Sequence, residues 1–340
     1  MKSLLTPLQA GALVLNNRLV MPPMATSKSK QDGKVSQAIL DYYDEKSRGG
    51  YISLIIIEHS FISQQGKASS GQLSIAEDSV VEELKKLSEI IHKNGSKCVM
   101  QINHAGIAAK KEVTGMEIVG PSAAVSPFIT KGASDGSASF HELTAKEIAE
   151  IVSDFRNAAR RVKEAGFDDV EIHSAHGYLL HQFFSPLSNS RSDEYGGSLL
   201  NRIRIHLEVI KAVREAVGND YPVLLRMGAS DYMEGGADLK DSITAALEYE
   251  KAGVDILDIS GGFCGFTIPG SAGGQGYFAP ITEALKEKVA VPVILTGGIT
   301  LAEAAEELVA EGKADLIGVG RAVLQDSEWA KQAIRSLNEK

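Results

Sequence analysis

Short runs of Val, Ile and Leu alternate along the chain with longer segments in which apolar residues recur every three or four positions. Several short runs are apolar almost throughout, which is typical of parallel strands buried on both faces. They predict eight strands, over Arg18–Met21, Ile52–Ile57, Lys97–Ile102, Asp169–Ile172, Val223–Arg226, Ile256–Ile259, Val293–Leu295 and Leu316–Val319. The longer segments predict helices, among them Val80–Lys93, Ala145–Glu164, Leu199–Val217, Asp241–Lys251 and Leu301–Ala310.

This order of elements predicts an α/β fold, a single closed (β/α)₈ or TIM barrel, and we expect residues 1–340 to form one domain. The alternative is a doubly wound open sheet, which ordinarily carries a glycine-rich phosphate turn after its first strand. Here Pro22, Pro23 and Met24 stand at that position. The barrel is therefore favoured.

Two connections are longer than the rest, and a barrel of this kind places such loops over its active face. One covers Asn103–Glu142, after the third predicted strand, and is rich in Gly, Ser and Ala. The other covers Gly261–Gly276, after the sixth strand, and is dense in glycine.

Composition narrows the class of protein. The 340 residues are 44% hydrophobic and 23% charged, and the formal net charge is −9. A mixed acidic surface favours solubility and is unlike the basic stripe of a nucleic-acid-binding protein. No apolar run approaches the roughly 20 residues that cross a bilayer. The two cysteines, Cys98 and Cys264, are too few for a disulfide framework or a four-cysteine metal site. We expect a cytoplasmic enzyme with a small-molecule partner and with no nucleic acid or membrane partner.

The last two predicted strands each end in a glycine turn, Gly297–Gly298 and Gly318–Arg321. Backbone N–H groups in such turns approach an anion closely, and the Arg321 guanidinium would add two donors. Barrels often bind phosphate at this place. The alternative is that the glycines only permit tight turns.

His173, His176 and Tyr178 follow the fourth predicted strand closely enough to face one ligand. Three interpretations remain open: a metal site, a packing motif of the core, or paired donors for a substrate oxygen beside a phenolic proton source. Further metal ligands could come from His104, Glu58 and His59.

The segment from His173 to Arg202, HSAHGYLLHQFFSPLSNSRSDEYGGSLLNR, resembles the old yellow enzyme family, the FMN-dependent ene-reductases. The segments NRLVMPPM, ending at Met24, and ADLIGVGR, ending at Arg321, resemble the same family, as do Gln101 and Arg226 in their strands. The likeness covers nearly the whole chain. It is to the short form of the family, without the iron–sulfur extension of larger relatives.

The resemblance implies tightly but non-covalently bound FMN, with NAD(P)H as the reductant. Residues bordering the flavin would be Pro23, Met24, Ala25 and His59, and Gln101 would bond its pyrimidine edge. Arg226 would lie near N1 and stabilise negative charge on the reduced ring. Gly297, Gly298, Gly320 and Arg321 would hold the phosphate.

The resemblance also implies the reaction, which is reduction of the activated C=C bond of an α,β-unsaturated carbonyl compound. His173 and His176 would bind the carbonyl oxygen, and Tyr178 would give a proton to Cα after hydride passes from flavin N5 to Cβ. Phe263 would contact the substrate, and Phe266 and Tyr277 would be further walls of the pocket.

One departure concerns the flavin, because many family members have Thr or Cys where this chain has Ala25. Thr26, one residue on, is the alternative if the register differs. Two other functions stay open: the same flavin site acting on a specialised metabolite, and a flavin-free phosphate-binding isomerase or aldolase. Homo-oligomers are common among such relatives.

Overall fold

A computed structural model describes residues 2–123, 140–270 and 273–339, and its centre is a closed barrel of parallel strands. The barrel strands are β1 (Leu19–Met21), β2 (Leu54–Phe61), β3 (Lys97–Asn103), β4 (Asp169–Ser174), β5 (Val223–Gly228), β6 (Ile256–Ser260), β7 (Val293–Thr296) and β8 (Leu316–Gly318). Each strand pairs with the next along the chain, and β8 closes the ring on β1 through Ile317 and Leu19. The predicted (β/α)₈ barrel and all eight predicted strands are confirmed.

Helices cover the outside of the barrel. The longer ones are α1 (Gln37–Ser47), α2 (Val81–Lys93), α3 (Ala145–Glu164), α4 (Arg204–Val217), α5 (Leu239–Ala252), α6 (Ala279–Lys286), α7 (Ala302–Ala310) and α8 (Trp329–Asn338). Short helices cover Lys111–Thr114, Leu179–Phe184, Leu199–Arg202 and Arg321–Gln325. The helix predicted over Leu199–Val217 is thus two helices that meet at Ile203.

The connection predicted over Asn103–Glu142 is described only outside residues 124–139, and that over Gly261–Gly276 only outside residues 271–272. Val119–Gly120 pairs with His141–Glu142 in a small separate sheet. None of the helices in the described ranges is long and apolar enough to cross a membrane.

The barrel interior is divided into an apolar half and a polar half. The apolar half is built by inward side chains near the strand beginnings together with an N-terminal hairpin, Leu8–Ala10 and Leu13–Leu15. Its members include Val20, Ile56, Val99, Leu224, Ile256, Ile294 and Leu316. Because side chains alternate along a strand, the next inward positions of β3 to β6 carry Gln101, Glu171, Arg226 and Asp258. The polar half therefore lies at the carboxyl ends of the strands.

Three aspartates clamp neighbouring strands at the opposite end of the barrel. Each stands immediately before an even-numbered strand, and one of its oxygens accepts the N–H of a residue at the start of the preceding strand. The pairs are Asp168 with Cys98 (2.8 Å), Asp255 with Val223 (2.8 Å) and Asp315 with Val293 (2.9 Å). Each aspartate also bonds a basic side chain, respectively Lys97, Arg214 and Lys286. Because the same contact recurs at three pairs of strands, we infer that these aspartates have a structural role.

We expect Asp255→Ala to lower the free energy of unfolding by roughly 2 kcal/mol, since charge-assisted hydrogen bonds to Val223 and Arg214 are lost together. Denaturant unfolding would measure the change. Asp220→Ala is the matched control, because Asp220 is exposed. Equal stability of the two variants would contradict a clamping role.

Candidate active site

The carboxyl ends of the strands surround a cavity of about 540 Å³. Thirteen residues predicted from the sequence line it: Pro23, Met24, Ala25, His59, Gln101, His173, His176, Tyr178, Arg226, Gly297, Gly298, Gly320 and Arg321. They come from separate strands and from the loops that follow them. The barrel therefore brings together at one mouth the residues that the sequence placed there.

A buried polar network forms one wall of the cavity. Strand register makes Gln101 the partner of Glu171 and Arg226 the partner of Asp258. Gln101 Nε2 donates to Glu171 Oε2 at 2.7 Å, and Arg226 Nη1 lies 3.3 Å from Asp258 Oδ2. All four side chains are buried. The Arg226 guanidinium thus shares this network with two buried carboxyl groups, those of Glu171 and Asp258.

Burial sets the protonation of this network. Burial and the neighbouring Asp258 carboxylate raise the pKa of Glu171 well above its ordinary value, although Arg226 opposes the shift. Burial also raises the pKa of Asp258. Two ionised carboxylates in a low-dielectric site would repel each other, so we infer that they hold one proton between them opposite the Arg226 cation.

Next to this network lies a cluster of imidazole and phenol rings, because Arg226 is the register partner of His173 on the neighbouring strand. The His173 ring centroid lies 5.2 Å from that of His176, 5.0 Å from that of Tyr178 and 6.2 Å from that of His59. His176 Nε2 and Ser260 Oγ are 2.7 Å apart. His176 has a positive φ of 57°, which a following glycine and a bond from its N–H to Gly261 O accommodate. The backbone turn after β4 thereby directs both histidines to one place.

These rings are uncharged near neutral pH. Burial is the largest cause that lowers the pKa of His173 and of His176 well below the ordinary value, and neighbouring charges act in the same direction. Burial raises the pKa of Tyr178, so its phenol keeps its proton. Neutral imidazoles and a protonated phenol can donate hydrogen bonds to a substrate oxygen, and the phenol can also give its proton to a substrate carbon. None of these groups carries a charge that would have to be desolvated when a substrate binds.

The two glycine turns line the cavity, and close packing requires glycine at Gly298. Gly298 has φ +70°, and a β-carbon there would collide with the Gly274 carbonyl oxygen and lie 2.8 Å from the Tyr277 ring. Only glycine suits this position. The exposed Arg321 lines the same end of the cavity and has no hydrogen-bond partner in the described ranges. The Arg321 guanidinium is therefore available as a donor for a phosphate at this end of the cavity.

The predicted substrate contact Phe263 is not among the residues that line the cavity. Its N–H donates to Asp231 Oδ1 at 2.8 Å, and its ring packs 4.9 Å from that of the buried His181. The turn at Gly261–Gly262 directs it into this packing. Phe266 and Tyr277 do line the cavity, and the Tyr277 hydroxyl donates to Phe266 O.

The position predicted to tune the flavin is Ala25, which lines the cavity. Thr26 is turned away, because its N–H donates to Glu58 Oε2 at 2.7 Å and its hydroxyl oxygen accepts from Lys28 N–H at 3.2 Å. Thr26 therefore does not replace the missing hydroxyl.

Glu171, Asp258 and Ser260 were not predicted from the sequence. Glu171 and Asp258 lie inside runs that were interpreted only as buried strands, and Ser260 directly follows one of them. The sequence does carry a signal for the two acids. Each is a carboxylate at an inward position of an otherwise apolar strand, and it stands two residues before a polar strand end. Burying such a group costs free energy unless it has a partner, so its presence indicates a partner. Its partner is on a neighbouring strand, so spacing along the chain does not identify it.

The residues present fit an FMN group. Arg226 and Gln101 line the cavity, and Arg226 Nε has no hydrogen-bond partner among the described residues, whereas Nη1 faces Asp258. A buried guanidinium with an unused donor is typical of a site for a ligand with acceptor atoms. The Arg321 guanidinium beside the glycine turns suits its phosphate, and the cavity volume lies within the range of cofactor sites.

The metal interpretation of the histidines finds no support in ligand geometry. Across the described parts of the chain, three close ligand atoms of His, Cys, Asp or Glu occur together only at His92, Cys98 and Asp168. That set lies at the other end of the barrel, where Asp168 clamps β3.

Comparison with known proteins agrees with this geometry. The model of the NADH:flavin oxidoreductase / NADH oxidase family matches residues 3–340. An NADH oxidase of Thermoanaerobacter brockii is 42% identical over 95% of this chain and 49% of its own length. An NADPH dehydrogenase of Listeria innocua is 39% identical over 96% of this chain and 93% of its own. The chain thus spans about half the length of the first relative and nearly all of the second.

A solved old yellow enzyme homologue from Zymomonas mobilis superposes with a TM-score of 0.83 and 28% identity, covering 98% of this chain and 92% of that one.

Proposed function

Because this chain belongs to the NADH:flavin oxidoreductase / NADH oxidase family, whose members bind FMN and use NAD(P)H, we propose that it reduces the activated C=C bond of α,β-unsaturated carbonyl compounds. The observation that carries the proposal is that His173, His176 and Tyr178 line the same cavity as Arg226, which is the register partner of His173 on the neighbouring strand. Donors for a carbonyl oxygen and a proton source for carbon then lie on the same side of the site.

Arg226, Gln101 and the two glycine turns would hold FMN in this cavity. FMN held there would supply two-electron redox chemistry between NAD(P)H and the C=C bond of the substrate. Arg226 would donate hydrogen bonds to the flavin and so favour its anionic reduced state. The Glu171–Asp258 pair, holding one proton, carries one negative charge that balances the guanidinium, so the buried cluster has no net charge of its own.

His173 and His176 would donate to the activating carbonyl oxygen. Negative charge grows on that oxygen as Cβ gains hydride, so donors fixed at this place stabilise the transition state more than the bound substrate. The bond between His176 and Ser260 keeps one imidazole in place. Tyr178 would release its hydroxyl proton to Cα, which completes saturation of the bond.

The visible absorbance of a bound flavin provides a test of the proposed reaction. We expect the purified protein to be yellow, to bleach anaerobically when NADH or NADPH is added, and to regain its absorbance when 2-cyclohexenone is added. A protein that takes up no FMN would contradict the proposal and favour a phosphate-binding barrel. A flavin that bleaches but is not reoxidised by any enone, enal or quinone would favour the alternative of a specialised metabolite.

A further inference from the structure

His59 is a cavity residue that the family resemblance places beside the flavin without giving its side chain a part in the chemistry. It lies in the last part of β2 and lines the cavity. Its ring centroid is 5.3 Å from that of Tyr178 and 6.2 Å from that of His173. His59 therefore stands beside both groups that would handle the substrate.

Gln72 fixes which nitrogen of His59 carries the proton. Gln72 Oε1 accepts from Ala68 N–H at 2.7 Å, so the amide nitrogen must be the end that faces His59. That nitrogen lies 3.2 Å from His59 O and 2.7 Å from His59 Nδ1. Since Gln72 donates to Nδ1, this ring nitrogen is an acceptor and has no proton.

The single proton of the neutral ring is then on Nε2. Burial, with help from Arg226, lowers the pKa of His59 to about 4, so the ring is neutral at physiological pH. No protein group in the described ranges accepts from Nε2, which remains accessible at the cavity. His59 thus presents a fixed N–H donor to the space where the substrate would lie.

We propose that His59 is a specificity-determining residue whose Nε2–H binds a second acceptor oxygen on the activating group of the substrate. This inference rests on the proposed function. His173 and His176 hold one oxygen, and His59 approaches the same group from the side of Tyr178. A substrate can accept hydrogen bonds both from His59 and from the His173–His176 pair when it has two oxygens on one activating atom, as nitroalkenes and unsaturated carboxylic acid derivatives do. An aldehyde or ketone offers one oxygen and leaves the His59 donor without a partner in the substrate.

The test uses a matched pair of substrates, trans-β-nitrostyrene and trans-cinnamaldehyde, which share the phenyl group and the C=C bond and differ in the activating group. For His59→Leu we expect the ratio of kcat/KM for the nitroalkene to that for the enal to fall about tenfold, the worth of one hydrogen bond. His59→Gln places an amide nitrogen near the position of Nε2 and should restore most of the ratio. His92→Leu, at the other end of the barrel, is the control and should leave the ratio unchanged.

Two further measurements separate failure of this inference from failure of the proposed function. Anaerobic bleaching of the flavin by NAD(P)H in the wild-type protein and in His92→Leu reports on the proposed function, independently of the ratio between the two substrates that tests His59. Nitrogen NMR of histidine-labelled wild-type protein, with His59→Gln for assignment, should show a protonated Nε2 and an unprotonated Nδ1. A protonated Nδ1, an equal loss for both substrates in His59→Leu, or no recovery in His59→Gln would each overturn the role of His59.

Discussion

Tyr178→Phe is expected to slow reduction of 2-cyclohexenone by roughly 10²- to 10⁴-fold, the range that a positioned general acid contributes. Burial raises the pKa of Tyr178, so the wild-type phenol is protonated and can deliver its proton to Cα. Phenylalanine keeps the ring that packs 5.0 Å from His173 and removes only the hydroxyl. The loss should therefore appear in kcat for the step that oxidises the flavin.

Reduction of the flavin by NAD(P)H needs no proton transfer to carbon, so we expect its rate to be nearly unchanged in Tyr178→Phe. Stopped-flow absorbance measures the two half-reactions separately. Tyr232→Phe is the matched control, because Tyr232 is partly exposed and is not among the cavity residues. If Tyr178→Phe slowed both half-reactions equally, the phenol would have a general structural role instead of acting as the acid.

The barrel was predictable because its strands are buried on both faces and stand out as unbroken apolar runs. Helices with less regular patterns were not predicted. The inner face of α1 includes Lys46, whose ammonium donates to Val323 O at 3.0 Å and to Ser327 Oγ at 2.6 Å. A lysine on the buried face hides the apolar stripe that would reveal such a helix.

The candidate site was predictable where its residues are contiguous, as at His173–Tyr178, or stand at strand ends, as at Arg226. The partnership of Arg226 with Asp258 depends on register between strands, which chain spacing does not specify. Likewise, Gln72 determines the tautomer of His59 from a loop 13 positions away. Contacts that depend on tertiary register need the structure.

Arg226→Met is expected to lower the free energy of unfolding by about 3–5 kcal/mol near neutral pH, because it removes the charge that compensates two buried carboxyl groups. Glu171 and Asp258, whose pKa values burial already raises, would then both stay protonated in the folded protein. The unfolded chain releases these protons above its ordinary carboxyl pKa values. A raised folded-state pKa contributes stability at low pH that is lost as pH rises.

The sign and size of the pH dependence distinguish this cause from simple loss of packing. If the parent holds one proton on the pair and the variant holds two, the deficit of the variant should widen by about 1.4 kcal/mol per pH unit, or roughly 2.7 kcal/mol between pH 5.5 and 7.5. Denaturant unfolding of flavin-free protein at both pH values measures it without a contribution from cofactor binding. Arg48→Met, which removes an exposed arginine paired with Asp44, should give a small deficit that does not vary with pH. Parallel pH curves for Arg226→Met and the parent would show that Arg226 does not control the protons of the pair, because a cavity left by a lost side chain has no reason to depend on proton concentration.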